Sequence, residues 1–142
     1  MNIIIAVVGA IVAIFSIVII HELGHFIVAR WMGVRVLRFS IGFGKAIWSK
    51  TTKKGTIFAI GWLPLGGYVR MLGEGDQAPP DDLKAFSYNN KSVLQRMAIV
   101  LAGPVMNFIF AIVLYWFLFL PGITHIKPVI GAVKPDSIGL PD

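Results

Sequence analysis

Two histidines and a glutamate stand close together in an apolar part of the sequence. They form the segment His21-Glu22-Leu23-Gly24-His25, and residues 3–20 before it carry no charge. Residues four apart share one face of a helix, so His21 and His25 can bind the same metal ion. Glu22 lies next to that face, where its carboxylate can accept a proton from the attacking water. This is the arrangement of the HExxH zinc hydrolases.

Other interpretations of this segment are a chance match, a structural histidine pair packed against polar partners, and a proton relay. HExxH is a short pattern, and in a soluble protein a chance match would carry substantial weight. Here the histidines follow an uncharged apolar run. Ionisable groups inside a membrane span are costly and usually functional. The metal site is therefore the favoured interpretation.

The composition indicates a membrane protein. Of the 142 residues, 56% are hydrophobic, and the absence of cysteine excludes both disulfides and a cysteine zinc site. The formal net charge is +6, and eleven of the thirteen Lys and Arg residues lie between Arg30 and Arg96. No nucleic-acid recognition motif accompanies these charges. The positive-inside rule explains them better, so we expect a lipid bilayer as partner, no nucleic acid, and a cytoplasmic segment between two spans.

Two apolar segments are long enough to cross a membrane, residues 3–29 and 97–120. The first has neither a basic n-region nor a small-residue cleavage site, so it reads as a retained helix and not as a signal peptide. Ser92 and Gln95 fit a capping box that starts the second helix. The Gly103-Pro104 pair is expected to loosen or kink that helix. Asn107 either makes a helix-packing hydrogen bond or lines the site and holds substrate backbone, and the second role is favoured.

The basic segment between the spans has the pattern of β-structure. Residues 34–41 and 68–72 read as strands, and residues 46–48 and 56–60 flank a polar turn, which predicts a hairpin. The glycines at 42, 44, 66 and 67 mark tight turns or close backbone approaches. The segment is either a small soluble β-meander with its own core or β-structure that dips into the membrane near the metal. Composition does not separate these two.

The remaining segments predict little chemistry. Residues 73–90 read as a polar, exposed and mobile loop, and residues 129–133 as one strand. A catalytic zinc usually has three protein ligands, and this sequence supplies two. His125 is a poor third ligand because it follows the far end of the second span. We therefore expect the third ligand outside this sequence.

Four features form one pattern over nearly the whole chain. They are His21-Glu22-Leu23-Gly24-His25-Phe26, the pair of β-loop motifs Phe39-Ser40-Ile41-Gly42-Phe43-Gly44 and Gly66-Gly67-Tyr68-Val69-Arg70-Met71, the segment Asn89-Asn90-Lys91-Ser92-Val93 with Gln95-Arg96, and Gly103-Pro104-Val105-Met106-Asn107-Phe108. Together these features resemble the site-2 protease family of intramembrane zinc metalloproteases. The resemblance implies a mainly α-helical transmembrane protein with a membrane-associated β-sheet insertion. It also implies that His21 and His25 bind Zn²⁺, that Glu22 is the general base, and that Asn107 helps hold the substrate strand.

The resemblance also implies a division of the chain. Residues 1–30 would be the first transmembrane helix, 31–73 a cytoplasmic-side membrane-reentrant β-loop, 74–91 a polar linker, 92–121 the second transmembrane helix, and 122–142 the incomplete start of a periplasmic PDZ-like domain. The β-loop would bind substrate by strand addition through Gly42, Phe43, Gly44, Gly66 and Gly67.

The activity implied is endoproteolysis within transmembrane segments of pre-trimmed membrane proteins, such as anti-sigma factors or signal-peptide remnants. The location implied is the bacterial inner membrane, in a multi-pass protein with residues 31–96 cytoplasmic and both the N-terminus and residues 122–142 periplasmic. In that family the third ligand is an aspartate on a later span, so we expect this chain to be inactive alone. The alternative function is a membrane metal-binding or transport protein that uses the histidine pair as an ion site, and a structural role without metal is a further rival.

Overall fold

The computed structural model describes residues 2–75 and 78–122. Helix α1 spans Ile3–Trp31 and helix α2 spans Val93–Phe119, and between them lie strands β1 (Val36–Thr51) and β2 (Ile57–Met71). Two short 3₁₀ helices, Asp81–Phe86 and Tyr88–Asn90, precede α2. His125, the strand predicted at residues 129–133 and the PDZ-like segment lie outside the described residues.

Both predicted apolar helices are confirmed. Each is long and apolar enough to cross a membrane by length and composition, and α1 with its 29 residues extends about 43 Å. Of the 18-residue apolar window in each helix, 0% is buried in α1 and 17% in α2. Within the part of the chain that the structure describes, no residue of this apolar window in α1 is therefore fully buried by protein.

Helix α2 begins with the predicted capping box. The Gln95 backbone N–H donates to Ser92 Oγ at 3.3 Å, and the Ser92 backbone N–H donates to Gln95 Oε1 at 3.1 Å. The helix then continues through Gly103-Pro104 without interruption. Pro104 has no N–H, so the carbonyl of Val100 lacks its usual intrahelical partner.

The β-segment consists of two long strands, where several short strands were predicted. The hairpin itself is confirmed, with strands β1 and β2 antiparallel and Thr51 opposite Ile57. The gap left between the predicted segments 56–60 and 68–72 is wrong, because β2 runs through residues 61–67 without interruption. The polar turn was also predicted too long, since β1 continues through Thr51. Glycine permits a sharp change of direction without ending strand pairing.

Both strands bend, so four arms lie side by side. Gly42 and Gly44 have φ of +83° and +81°, and Gly66 has φ of +141°, which fits the predicted role of these glycines. Residues 38–41 pair with 67–70 on one edge and with 57–60 on the other, and 57–60 also pair with 48–51. The lateral order is therefore 48–51, 57–60, 38–41 and 67–71. We call the last of these the outer arm.

The core lies where the end of α1, the sheet and the start of α2 meet. The Phe26 ring packs edge-on against Phe39 and Phe58, each with a centroid distance of 5.5 Å. Ile99 of α2 is 1% exposed. The buried members of this cluster are Ala29, Val34, Val36, Phe39, Val69, Met71 and Ile99. The sheet therefore packs against the HExxH helix and does not form a core of its own.

The segment before α2 is tied to the sheet more closely than its polar sequence suggests. The Arg35 backbone N–H donates to the Phe86 carbonyl at 2.9 Å, and the Tyr88 backbone N–H donates to the Leu72 carbonyl at 2.8 Å. Ser87 is fully buried, although most of residues 81–90 are exposed as predicted. These bonds fix the point at which the chain enters α2, and so the position of α2 beside α1.

Candidate metal centre

The two histidines of the HExxH segment lie side by side on α1. Their ring centroids are 4.8 Å apart and the ring planes meet at 80°. The helix is continuous from Ile3 to Trp31, so the four-residue spacing brings His21 and His25 onto one face, as predicted. That face is turned toward α2.

The ring of His25 is oriented by the backbone of α2. Its Nδ1 lies 2.7 Å from the carbonyl oxygen of Ile99, and because a carbonyl only accepts, the Nδ1–H donates this bond. In neutral imidazole the other nitrogen, Nε2, then carries the lone pair that a metal needs. A ligating histidine usually has such a partner on its second nitrogen.

The ring of His21 has a side-chain partner from α2. The Nδ2 atom of Asn107 lies 3.1 Å from His21 Nδ1, a contact between residues 86 positions apart. Asn107 Oδ1 is buried and has no hydrogen-bond partner among the described residues. Asn107 is therefore a neighbour of the histidine pair, and one end of its amide is left for another group.

Gly103 leaves the space toward which both histidines point. A β-carbon built on Gly103 would lie 2.7 Å from His21 Nε2 and even closer to His25 Nε2. The two Nε2 atoms thus converge on one small region that the missing side chain keeps open. Two imidazole nitrogens that share a free space, with at least one ring held in the tautomer that exposes Nε2, fit the donor set of a zinc ion.

Glu22 faces the sheet from the same turn of α1. A β-carbon on Gly67 would lie 2.9 Å from Glu22 Cγ, so the outer arm passes directly beside this carboxylate.

Glu22 and His25 together line a cavity of about 140 Å³, whose other walls are Val69, Met71, Glu74, Tyr88, Ile99 and Val100. A second cavity, of about 340 Å³, is lined by His21, Pro104, Asn107, Phe108 and Ala111. Polar groups of the site therefore border space on two sides.

The predicted substrate-binding residues fall into two places. Gly67 lies at Glu22, as described above. Gly42, Phe43 and Gly44 lie at the bend of β1, where the Phe43 ring stacks on Tyr68 with a centroid distance of 6.2 Å and would clash with a β-carbon on Gly66. Gly42 lies close to the backbone of β2, since its β-carbon would be 2.9 Å from the Leu63 carbonyl oxygen.

The sequence did not reveal two contributors to this centre. The Ile99 carbonyl has no sequence signal, because any residue at that position supplies a backbone oxygen. Gly103 did stand out in the sequence, but together with its neighbour Pro104 it was interpreted as a helix kink and not as open space beside the histidines. Within residues 2–75 and 78–122, no group of three His, Cys, Asp or Glu residues is placed to hold a metal. The expectation that the third ligand comes from elsewhere therefore stays a prediction.

Comparisons with known proteins point in one direction. Residues 9–137 match the sequence model of the family described as "Peptidase family M50". The chain is 56% identical over 128 residues to "Protease RseP" of Yersinia pestis and 53% identical over 128 residues to "Regulator of sigma-E protease RseP" of Escherichia coli (strain K12). It is 50% identical over 129 residues to "Putative zinc metalloprotease" of Vibrio cholerae. Each match covers 90% of this chain and 28% of the relative, so the chain spans little more than a quarter of these proteins.

Proposed function

The chain belongs to peptidase family M50, and from this premise we propose that it contributes two zinc ligands and the general base to an intramembrane endoprotease of the site-2 type. The observation that carries this proposal is the convergence of His21 Nε2 and His25 Nε2 on the space left by Gly103, with Glu22 on the same helical turn. Relatives named as zinc metalloproteases support zinc as the metal.

His21 and His25 would hold the metal, with an aspartate from a part of the protein outside this sequence as third ligand. Zinc in such a site would act as a Lewis acid that polarises the peptide carbonyl. It would also make water acidic enough to lose a proton near neutral pH and so become a strong nucleophile. The hydrogen bond from His25 Nδ1–H to the Ile99 carbonyl keeps that ring in its ligating orientation.

Glu22 would move the proton. Its carboxylate borders the same cavity as His25, so a water molecule placed between substrate and metal site lies within its reach. Glu22 would accept a proton from that water as it attacks the carbonyl carbon and then donate it to the leaving amine.

The sheet would present the substrate to this centre. A transmembrane helix hides its carbonyls in backbone hydrogen bonds, so the segment to be cut must unwind locally. The outer arm, which passes Glu22 at Gly67 and pairs with residues 38–41 on its inner side, has a second edge to which an extended peptide can add. Gly42, Phe43, Gly44, Gly66 and Gly67 would bind the substrate in this region, and the free end of the Asn107 amide would bond its backbone.

The proposed setting is the bacterial inner membrane, with both helices spanning it. The charge pattern supports a cytoplasmic position for residues 31–96, which would form a β-loop followed by a polar linker. Residues 122–142 would open a periplasmic PDZ-like domain. Packing of the sheet directly on the HExxH helix supports the membrane-reentrant interpretation of the β-loop. Relatives named for sigma-E regulation support anti-sigma factors as substrates, with signal-peptide remnants as a second class.

Glu22→Gln in the full-length protein tests the proposal. Loss of the general base should lower the cleavage rate of a transmembrane substrate by at least about 10²–10⁴-fold. Zinc content should stay unchanged because the ligands remain, whereas His21→Ala and His25→Ala should lose zinc. Glu74→Gln is the matched control, since Glu74 lines the same cavity but its Oε2 is bonded to the Met71 backbone N–H at 3.0 Å.

Two outcomes would contradict the proposal. Full cleavage by the Glu22→Gln protein would exclude Glu22 as the base. Zinc binding with no cleavage of any membrane segment by the wild-type protein would favour the alternative, a metal-binding or transport protein that uses the histidine pair as an ion site.

A further inference from the structure

We propose that Asn107 is a positioning residue for His21, whose amide oxygen accepts the Nδ1–H of the ring and thereby keeps Nε2 free and aimed at the metal. This inference rests on the proposed function, since it assumes that His21 is a metal ligand. It gives Asn107 a role that does not depend on substrate.

The register of the two helices carries the argument. Ile99, Gly103 and Asn107 are spaced by four residues and lie along one face of α2. His25 bonds the Ile99 carbonyl, His21 contacts Asn107, and the space at Gly103 lies between the two rings. One face of α2 therefore supplies a partner for each Nδ1 atom and the gap between the Nε2 atoms.

The Ile99 partner shows what the Asn107 partner must do. A backbone carbonyl fixes His25 with a proton on Nδ1 and a lone pair on Nε2. For His21 to bind the same metal, its ring needs the same tautomer, because a protonated Nε2 cannot ligate. His21 Nδ1 must then donate, and an acceptor must face it.

The amide of Asn107 can supply that acceptor. Its two orientations have the same shape and exchange the oxygen with the nitrogen. With Nδ2 toward His21 Nδ1 at 3.1 Å, the amide donates, the ring proton moves to Nε2, and Oδ1 stays buried without a partner in the described part of the chain. With the amide turned, Oδ1 of Asn107 accepts from the Nδ1–H of His21. The NH₂ group then points to the position where Oδ1 had no partner, and a peptide carbonyl can accept a hydrogen bond from it there. Only the turned amide leaves both Nε2 atoms able to bind metal.

Two substitutions in the full-length protein separate positioning from other roles. Asn107→Leu removes the acceptor at similar volume and should weaken zinc binding about 10–100-fold, the usual effect of losing an outer partner of a ligating histidine. Asn107→Asp keeps an acceptor and should bind zinc at least as tightly as wild type, while it loses the NH₂ donor. The dissociation constant is measured by competition with a chelator in detergent micelles.

Tyr115→Phe is the control variant. It removes a polar group from an exposed position on the same helix, 60% exposed, and keeps the stacking of the ring on Phe119. Its zinc affinity should equal that of wild type. If Asn107→Leu binds zinc as tightly as wild type, or if Asn107→Asp binds it as weakly as Asn107→Leu, the inference is overturned. If wild type binds no zinc, the proposed metal centre fails, and this inference fails with it.

A measurement on the unmodified protein avoids any folding defect of the variants. Nitrogen NMR of the metal-free protein, labelled with ¹⁵N-histidine, reports which ring nitrogen carries the proton, and a His21→Ala sample assigns the signal. We expect His21 to carry its proton on Nδ1 before zinc is added. A proton on Nε2 in the metal-free wild-type protein would overturn the inference.

Discussion

The two ends of the helix pair differ sharply. At the packed end, which comprises the second half of α1, the sheet and α2 as far as Asn107, Ala29 is 0% exposed and Ile99 is 1% exposed. At the bare ends, residues 3–14 and 111–120, every side chain is exposed in the described chain, with Ile3 80% exposed and Ile112 68% exposed. The bare ends are the more apolar of the two in sequence, so hydrophobicity alone does not determine where this chain packs.

The difference shows what packing is for in this molecule. Lipid can cover an apolar helix, so the bare ends need no protein core. Imidazole, carboxylate and amide groups need partners, and those partners are found only where a second element lies close by. His21, Glu22 and His25 all lie where α1 meets α2 or the sheet. Paired substitutions, one at each end, test this contrast.

Gly103→Ala at the packed end should have the largest effect on function. Its new β-carbon would fall between the two Nε2 atoms. Loss of an outer hydrogen-bond partner of a ligating histidine lowers metal affinity by up to roughly 100-fold, and zinc affinity should drop by more than that here. Gly9→Ala is the control, because a β-carbon on Gly9 meets nothing within 4 Å. Zinc titration of both purified proteins decides the matter. Equal affinities would show that the gap at Gly103 is not part of the centre.

Ile99→Ala should have the largest effect on stability. Truncating this fully buried side chain leaves a cavity in the core and should lower the free energy of unfolding by about 2–5 kcal/mol. Ile112→Ala, at an exposed position of the same helix, should change it by no more than about 0.5 kcal/mol. Thermal unfolding in one detergent gives the comparison. A similar loss for both would mean that α2 is packed along its whole length.

Gly24→Ala should have an intermediate effect. A β-carbon there would overlap the Ala102 carbonyl and lie 2.7 Å from Met106 Cγ, so the helices must move apart. Overpacking of this kind should destabilise the protein by about 1–3 kcal/mol, while Gly9→Ala should not destabilise it. Resistance to protease digestion across a temperature series measures both variants. An unfolding temperature for Gly24→Ala at or above that of wild type would contradict close helix contact at this point.

The smallest effect is expected at the helix starts. Ser92→Ala removes the capping box of α2 and should destabilise the protein by about 1 kcal/mol. Asn2 precedes α1 but makes no side-chain capping bond, so Asn2→Ala should be silent. Circular dichroism during thermal unfolding resolves the difference. If the two substitutions are equivalent, the cap does not help to anchor α2.

Local sequence patterns were enough to predict several features of this structure. The HExxH spacing, the two apolar runs and the Ser92–Gln95 box each act within one helix, so the chain order alone reveals them. The hairpin at residues 52–56 is equally local. The family resemblance drawn from these motifs is confirmed by the match of residues 9–137 to Peptidase family M50.

Features that depend on distant residues could not be predicted in the same way. The contact between Asn107 and His21 depends on the relative rotation of two helices, which no single segment encodes. Residues 38–41 pair on both edges because β1 bends at Gly42 and β2 bends at Gly66. These bends let two parts of β2 lie on either side of residues 38–41. The sequence marked these glycines as unusual but gave no means to deduce which strand edge would meet which.

The arm formed by residues 38–41 has a mechanical consequence. Because β2 holds it on both edges, a pull on the hairpin tip would first peel residues 48–51 from 57–60, one rung at a time, and leave the inner arms intact. Separating 38–41 from both neighbours requires breaking two ladders together. A force applied to the hairpin tip would therefore load the outer arm beside Glu22 only after the inner ladders had broken.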